Sequence, residues 1–378
     1  MPVNHADVAI VGAGILGLAH AYMAARRGRS VVVFERSARA EGASVRNFGM
    51  IWPIGQAAGA THELALRSRE IWLDVLRCAR LPYLATGSLH VTYRDDEAAV
   101  AREFSEIAPA HGYDCQWLSA EAVLSRSQAV RAERLRGGLW SSLEFTVDPR
   151  SIIAKLPHFL SEQMGVQFRY GCPVRSVALP RVEAGDEQWE VGQAIICSGH
   201  DFETLFPGLL REAGLTRCKL QMMRTHPQAN GWRLGPSLAA GLTLRFYPAF
   251  QICSTLPALK QRIAAETPGY DRWGIHVLVS QTEQGELTLG DSHEYGETLD
   301  IFDKAEIDRL ILEYLATFLQ APSLDLAQHW HGIYAKHPTQ PFVSLSPEPG
   351  VRIVTATGGS GMTLSFGIAE QTVSQMEL

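Results

Sequence analysis

The chain has 378 residues, of which 46% are hydrophobic and 20% charged, and a formal net charge of −6. That length exceeds what one core usually organises, so two domains are expected, and the acidic balance argues against nonspecific nucleic-acid binding. No apolar run reaches the roughly 18 residues that would span a bilayer. Asn4, His5 and Asp7 interrupt any leader-like segment, and the six cysteines are scattered without a CxxC pair, so a cytoplasmic protein with reduced thiols and no metal site is expected.

The first elements carry the strongest signal. Asp7–Val11 reads as a buried strand, Gly12-Ala13-Gly14-Ile15-Leu16-Gly17 as a glycine turn into a helix, and Val31–Glu35 as a second strand ending on an acid. Gly12 allows the sharp turn, Gly14 lets a pyrophosphate approach the backbone at the helix N-terminus, and Gly17 lets the helix lie close to the sheet. Glu35, eighteen positions after Gly17, is placed to accept ribose hydroxyls and to repel a 2′-phosphate. The whole unit predicts an adenine-dinucleotide site.

Residues 41–59 are rich in small residues but include Arg46, Asn47, Phe48, Met50 and Trp52, which suits a loop lying along a ligand. Residues 62–76 form an amphipathic helix pattern, 86–92 a strand, 95–108 a helix, and Ser119 caps a short helical turn. A helix is expected from Pro149 to about Met164, then a strand at 165–170. Val174–Val177 and Gln188–Val191 are expected to pair as short antiparallel strands, followed by a separate apolar strand, Ala194–Ile196, ending on Cys197-Ser198-Gly199. Strands are expected at 220–225, 242–246, 275–281 and 286–290, a helix at 304–318, and a last strand at 351–357 that turns through Gly358–Thr363 into the final helix. Alternation in Leu244-Arg245-Phe246-Tyr247 would set Arg245 and Tyr247 on one face.

The dinucleotide motif, the 44–50 segment, Gly290-Asp291-Ser292 and the Gly358–Thr363 turn together resemble the D-amino-acid oxidase/glycine oxidase/sarcosine oxidase family of flavoproteins along nearly the whole chain. Ser44-Val45-Arg46-Asn47-Phe48-Gly49-Met50 further resembles a subgroup associated with bacterial 2-aminophosphonate breakdown. The resemblance implies an α/β fold: a discontinuous Rossmann-like FAD-binding domain (1–80, 145–215 and 330–378) and a substrate-binding domain on an antiparallel sheet (81–144 and 216–329). It implies FAD along Gly12, Gly14, Ile15, Gly17, Glu35 and Arg36, with adenine near Val174 and the strand end at Ser198 and Gly199. Ser44, Arg46, Asn47, Gly49 and Met50 would flank the flavin, and Gly332, Gly359, Ser360, Gly361, Met362 and Thr363 would lie at its far end. In sarcosine oxidases a cysteine attaches the flavin; the matching position here is Gly332, and no cysteine follows Cys253, so FAD is expected to be noncovalent.

The implied activity is FAD-dependent oxidation of a small amine carrying an acid group, with molecular oxygen or another acceptor reoxidising the flavin. An aminophosphonate such as (N-methyl-)2-aminoethylphosphonate, giving phosphonoacetaldehyde, is the expected substrate. Glycine, sarcosine or a D-amino acid is the alternative, and a noncatalytic flavin-binding protein a further one. Thr363 stands where sarcosine-oxidase-like enzymes place a substrate lysine. The expected substrate side chains are Arg46, Arg245, Tyr247, His276, Tyr334, Lys336 and Thr363, with Arg224 and His337 as further candidates for an anion clamp.

Overall fold

The computed structural model describes residues 3–378. Two large sheets share the molecule. The first is ordered Val343–Leu345, Val351–Thr355, Glu187–Ile196, Asn4–Val11, Val31–Glu35, Gln167–Tyr170. All neighbours in that path run parallel except the antiparallel edge strand Val343–Leu345. The helices Ile15–Arg26, Pro149–Met164 and Gly361–Gln375 cover one face, and Ala60–Ala79 packs on the last of them. Val8, Ile10, Leu18, Val33, Trp72, Leu156 and Phe366 form the core between these layers. Val8–Val11 and Val31–Phe34 are buried on both faces, which explains their unbroken apolar run.

The other face carries a meander that departs from the expected pairing. Val174–Ala178 pairs with Arg181–Ala184, which in turn pairs with Glu187–Ile196; the outer two strands never meet. The intervening strand is only four residues long and its alternation is too short to read. Gln188–Val191 and Ala194–Ile196 also prove to be one strand. Its first half alternates because one face meets water, and its last three residues are all buried where it enters the parallel sheet.

The second sheet has nine strands, and Thr216–Thr225 is central to its site-facing end. Leu326–Lys336 runs antiparallel along the whole of Thr216–Thr225, with Lys336 opposite Thr216 and Leu326 opposite Thr225. Residues 330–336, expected to fall in the dinucleotide-binding segment, therefore belong to this sheet, and a bridge from Lys336 to Thr357 ties the two sheets together. The sheet is mixed, because Ser237–Ala239 runs parallel to Ser88–Thr92.

The expected strand at 242–246 is a correction of consequence. Gly241–Leu244 is a helical turn, and Arg245 continues it in helical conformation. All four residues of the turn are buried, so the apolar run reflects burial on every side. Gly241 fits against Glu97, whose carboxyl group fills the space a Cβ would take. Arg245 and Tyr247 consequently do not share a strand face.

Candidate flavin and substrate site

A cleft of about 560 Å³ opens along the C-terminal ends of the parallel strands. Gly12, Gly14, Ile15, Glu35, Arg36, Ser44, Arg46, Asn47, Val174, Ser198, Gly199, Gly359, Gly361 and Met362 all line it. The opening turn shows why glycine is needed. Gly12 has φ +99°, and a Cβ there would lie 2.5 Å from the Cys197 carbonyl oxygen. Gly14 caps the first helix in extended conformation with no side-chain cap, leaving the helix N-terminus facing the cleft. Ser44 Oγ accepts from the Ile15 N–H at 2.9 Å, and a Cβ on Gly14 would sit 3.0 Å from that hydroxyl. Gly17 is buried beneath the turn instead of lining the cleft, which agrees with a packing role.

Glu35 is oriented by the chain itself. One carboxylate oxygen accepts from the Ala13 N–H and the other from the Ser37 N–H, each at 3.0 Å. Each oxygen keeps a lone pair for a ribose hydroxyl. Arg36 is paired with Asp201 at 2.9 Å on the cleft rim.

The 44–50 loop is shaped by Asn47, whose amide donates to the carbonyls of Ala43 and Ser44 while its oxygen accepts from the Gly49 N–H. Gly49 has φ +72° and presses on the Val147 carbonyl; Met50 is buried and pairs with Thr146. Neither Gly49 nor Met50 lines the cleft, so both hold the loop. At the far end the last helix begins at Gly361. Trp72 Nε1 donates to the Met362 carbonyl at 2.7 Å, and Thr363 Oγ1 accepts from the Trp52 N–H at 2.9 Å. Thr363 is therefore a buried brace outside the cleft lining; the half-buried Ser360 is also outside it, as the cap of the last helix.

Gly332 lies against the loop. A Cβ there would meet the Tyr334 ring at 2.8 Å and the Arg46 carbonyl oxygen at 3.3 Å. The close approach leaves no room for a larger side chain, which fits a flavin held by noncovalent contacts alone. A backbone cradle, an uncapped helix N-terminus and a fixed ribose carboxylate all match the demands of FAD.

The expected substrate side chains divide. Arg46 and Tyr334 line the cleft; Arg46 donates to the His331 carbonyl and the Tyr334 hydroxyl to the Arg46 carbonyl, both at 3.1 Å. Burial, and then the charge of Asp291, raises the Tyr334 phenol well above its usual range. Arg245 is spent elsewhere, donating to the carbonyls of Tyr270 and Ile275 and lying 3.6 Å from Asp271. Arg224 donates to Gln328 and stacks over Trp330. His337 accepts from the N–H groups of Thr339 and Gln340 and shapes the turn after the long strand.

Tyr247, His276 and Lys336 come together in a second group outside the cleft lining. His276 stacks on Phe246 with centroids 3.8 Å apart, Tyr247 meets it edge-on at 5.6 Å, and Lys336 Nζ lies 6.0 Å from the Phe246 ring. Asp291, His293 and Tyr295 complete this group; the sequence singled out Asp291 only within Gly290-Asp291-Ser292, and none of the three was expected among the substrate side chains. Their spacing carried the signal: positions 291, 293 and 295 alternate, as side chains on one face of an extended segment do. Ligand atoms of His276, Asp291 and His293 lie within 4.8 Å of one another, a spacing that a metal ion would accept. The positive charges of Lys336 and Arg245 act on both imidazoles, which makes the spot a poor one for a cation.

The DAO family model, described as FAD dependent oxidoreductase, matches residues 7–375. No curated protein matches the chain. Among solved structures, glycine oxidase from Geobacillus kaustophilus superposes with a TM-score of 0.77 at 18% identity, covering 99% of this chain and 95% of that one. L-alpha-glycerophosphate oxidase from Mycoplasma pneumoniae, solved with FAD bound, gives 0.78 at 17% identity, covering 100% and 96%. L-proline dehydrogenase from P. horikoshii gives 0.75 at 16% identity, covering 99% and 94%. With the family model spanning nearly the whole chain and a cleft built for noncovalent FAD, the protein belongs to the DAO family of FAD-dependent oxidoreductases.

Proposed function

We propose that the chain oxidises a small amine carrying an acid group, of the glycine, sarcosine or D-amino-acid type, to an imine that water then hydrolyses to a carbonyl compound and ammonia or an amine. The observation that carries this reading is the position of Arg46 and Tyr334. They line the dinucleotide cleft, and Asp291 and Tyr247 of the second group lie near enough to Tyr334 to act on its phenol. Bound FAD supplies the two-electron acceptor. The protein's part is to hold the amine's α-carbon against the cofactor, exclude water, and neutralise the acid group. Kinship in fold to glycine oxidase supports the amino-acid side of the reading.

A second reading takes the acid group as a phosphonate, for which the Ser44–Met50 motif speaks. The same fold serves an L-alpha-glycerophosphate oxidase, so it accommodates chemistry beyond amino acids. Anaerobic mixing with glycine, sarcosine, D-alanine, 2-aminoethylphosphonate and its N-methyl derivative tests both readings through bleaching of the flavin band. Reduction by an acid-bearing amine is expected, and failure of the whole panel sinks the proposal. Peroxide release on aeration then tells oxygen from another acceptor.

A further inference from the structure

A second cleft, of about 570 Å³, opens at the far end of two elements that also reach the flavin cleft. Val351–Thr355 lines it with Val351 and the flavin cleft with Thr355; the last helix lines it with Gln375 and the flavin cleft with Gly361. Fifteen residues of helix set the two ends about 22 Å apart. Gln193, from Glu187–Ile196, and the turn 346–350 complete the wall.

Opposite charges stand in this cleft without meeting. Glu348 and Arg352 both line it, and among the described residues neither side chain makes a hydrogen bond or an ion pair, with the other or with any neighbour. Glu348 Oε1 and Arg352 Nε are nonetheless turned out of water, so each is desolvated with no partner in return. Gln193 adds a third unmet atom: its Nε2 donates to the Met376 carbonyl at 2.9 Å, while its Oε1 has no donor. Buried polar atoms in native proteins nearly always find partners, so three unmet on one cleft wall call for a ligand. The acid is also held stiffly. Pro347 and Pro349 flank Glu348, and Gly350, at φ +79°, closes the turn where a Cβ would lie 2.7 Å from Leu179 Cδ1.

We propose that this cleft binds a small zwitterion, its ammonium group on Glu348 and Gln193 and its carboxylate on Arg352. The unpartnered groups set the class of ligand. Two of them are acceptors on different side chains, which one ammonium group with three N–H donors serves together. The third is a guanidinium donor, whose natural partner is a carboxylate. An anion alone would leave Glu348 unmet, and a cation alone would leave Arg352 unmet. The last helix ends on the same wall at Gln375, and the negative end of its dipole favours the ammonium group there. A ligand held in this way ties the turn to the start of Val351–Thr355 and to the end of the last helix. The site goes beyond the amine-oxidation reading and does not rest on it: none of its residues lines the flavin cleft, and its ligand need not be oxidised.

The FAD-loaded protein should be titrated anaerobically, by calorimetry, with glycine, β-alanine and 4-aminobutyrate, which space the two charges differently. Acetate and ethylamine serve as single-charge controls, and the flavin's visible spectrum is followed in parallel. At least one zwitterion should bind saturably in a step that leaves the flavin band unchanged, and should raise the melting temperature. Glu348→Gln and Arg352→Gln should each raise its Kd about tenfold. Without ligand both variants should melt no lower than wild type, since neither loses a protein partner. Acetate and ethylamine should each bind about tenfold more weakly than the zwitterion, or not at all. Saturable binding of no zwitterion, an unchanged Kd in both variants, or a single-charge control that binds as tightly overturns the site. Unliganded variants that melt several degrees lower would show that the two side chains already have partners, and overturn it as well. Neither variant touches the flavin cleft, so bleaching of the flavin by the amine panel is scored independently.

Discussion

Replacing Gly17 by alanine tests whether the first helix is held where FAD needs it. A Cβ at this position would lie 1.8 Å from the Gly12 carbonyl oxygen and 3.3 Å from Ile10 Cγ2, where contacts under 3.0 Å are essentially never seen. The obstacle is backbone, so the helix must withdraw from the strand by about 1.2 Å to reach even that limit. Overpacking of this kind costs about 1–3 kcal/mol. Helix propensity pulls the other way, since alanine is favoured over glycine by about 1 kcal/mol in a helix interior. The net expectation is a loss of up to about 2 kcal/mol in the apoprotein. FAD affinity should fall further, because the same shift moves the helix N-terminus at Gly14 away from where the pyrophosphate would lie. At about 1.4 kcal/mol per decade, a tenfold to hundredfold rise in Kd is expected. Thermal melting of the apoprotein and titration with FAD, followed by quenching of flavin fluorescence, give the two numbers. An apoprotein that melts higher than wild type and binds FAD equally well would show that propensity outweighs the clash and refute the argument.

Glu35→Ala should leave the Ala13 and Ser37 N–H groups without their carboxylate partners, costing roughly 1.5–3 kcal/mol and lowering FAD content on purification; full FAD retention would count against it. Thr363→Val preserves shape but leaves the buried Trp52 N–H unmet, so a loss of about 1–3 kcal/mol is expected in denaturant melts, against near-zero for a merely space-filling residue. His20 is fully buried on the inner side of the first helix, where desolvation lowers its pKa from 6.5 to about 4. Since the unfolded chain takes up the proton first, stability falls as pH drops from 6.5 towards 4, by about 3 kcal/mol for this residue. In His20→Leu the stability measured by denaturant melts should depend less on pH across that window, and an unchanged slope would show that His20 is not the titrating group.

Legibility in the sequence followed the kind of contact involved. The dinucleotide grip is made by backbone, and backbone demands are written in residue type: glycine at Gly12 for its φ of +99°, glycine at Gly17 for a close approach, an acid at the end of the second strand. Fourteen of the residues expected along FAD accordingly line the cleft. The others, such as Gly49, Gly332 and Thr363, serve one contact further out, where they fix the loop that Ser44 and Arg46 occupy. The meander was misread because Arg181–Ala184 is short and because one strand, Glu187–Ile196, changes its burial pattern halfway along.

The second group of side chains, around His276, had no such backbone signature. Its residues come from the ends of strands and the links between them, at 246–247, 276, 291–295 and 334–336, and their meeting depends on register. A single local error was enough to misplace a charge. Read as a strand, Leu242–Phe246 puts Arg245 on one face with Tyr247; as a helical turn it sends the guanidinium to the Tyr270 and Ile275 carbonyls and leaves Phe246 to stack on His276.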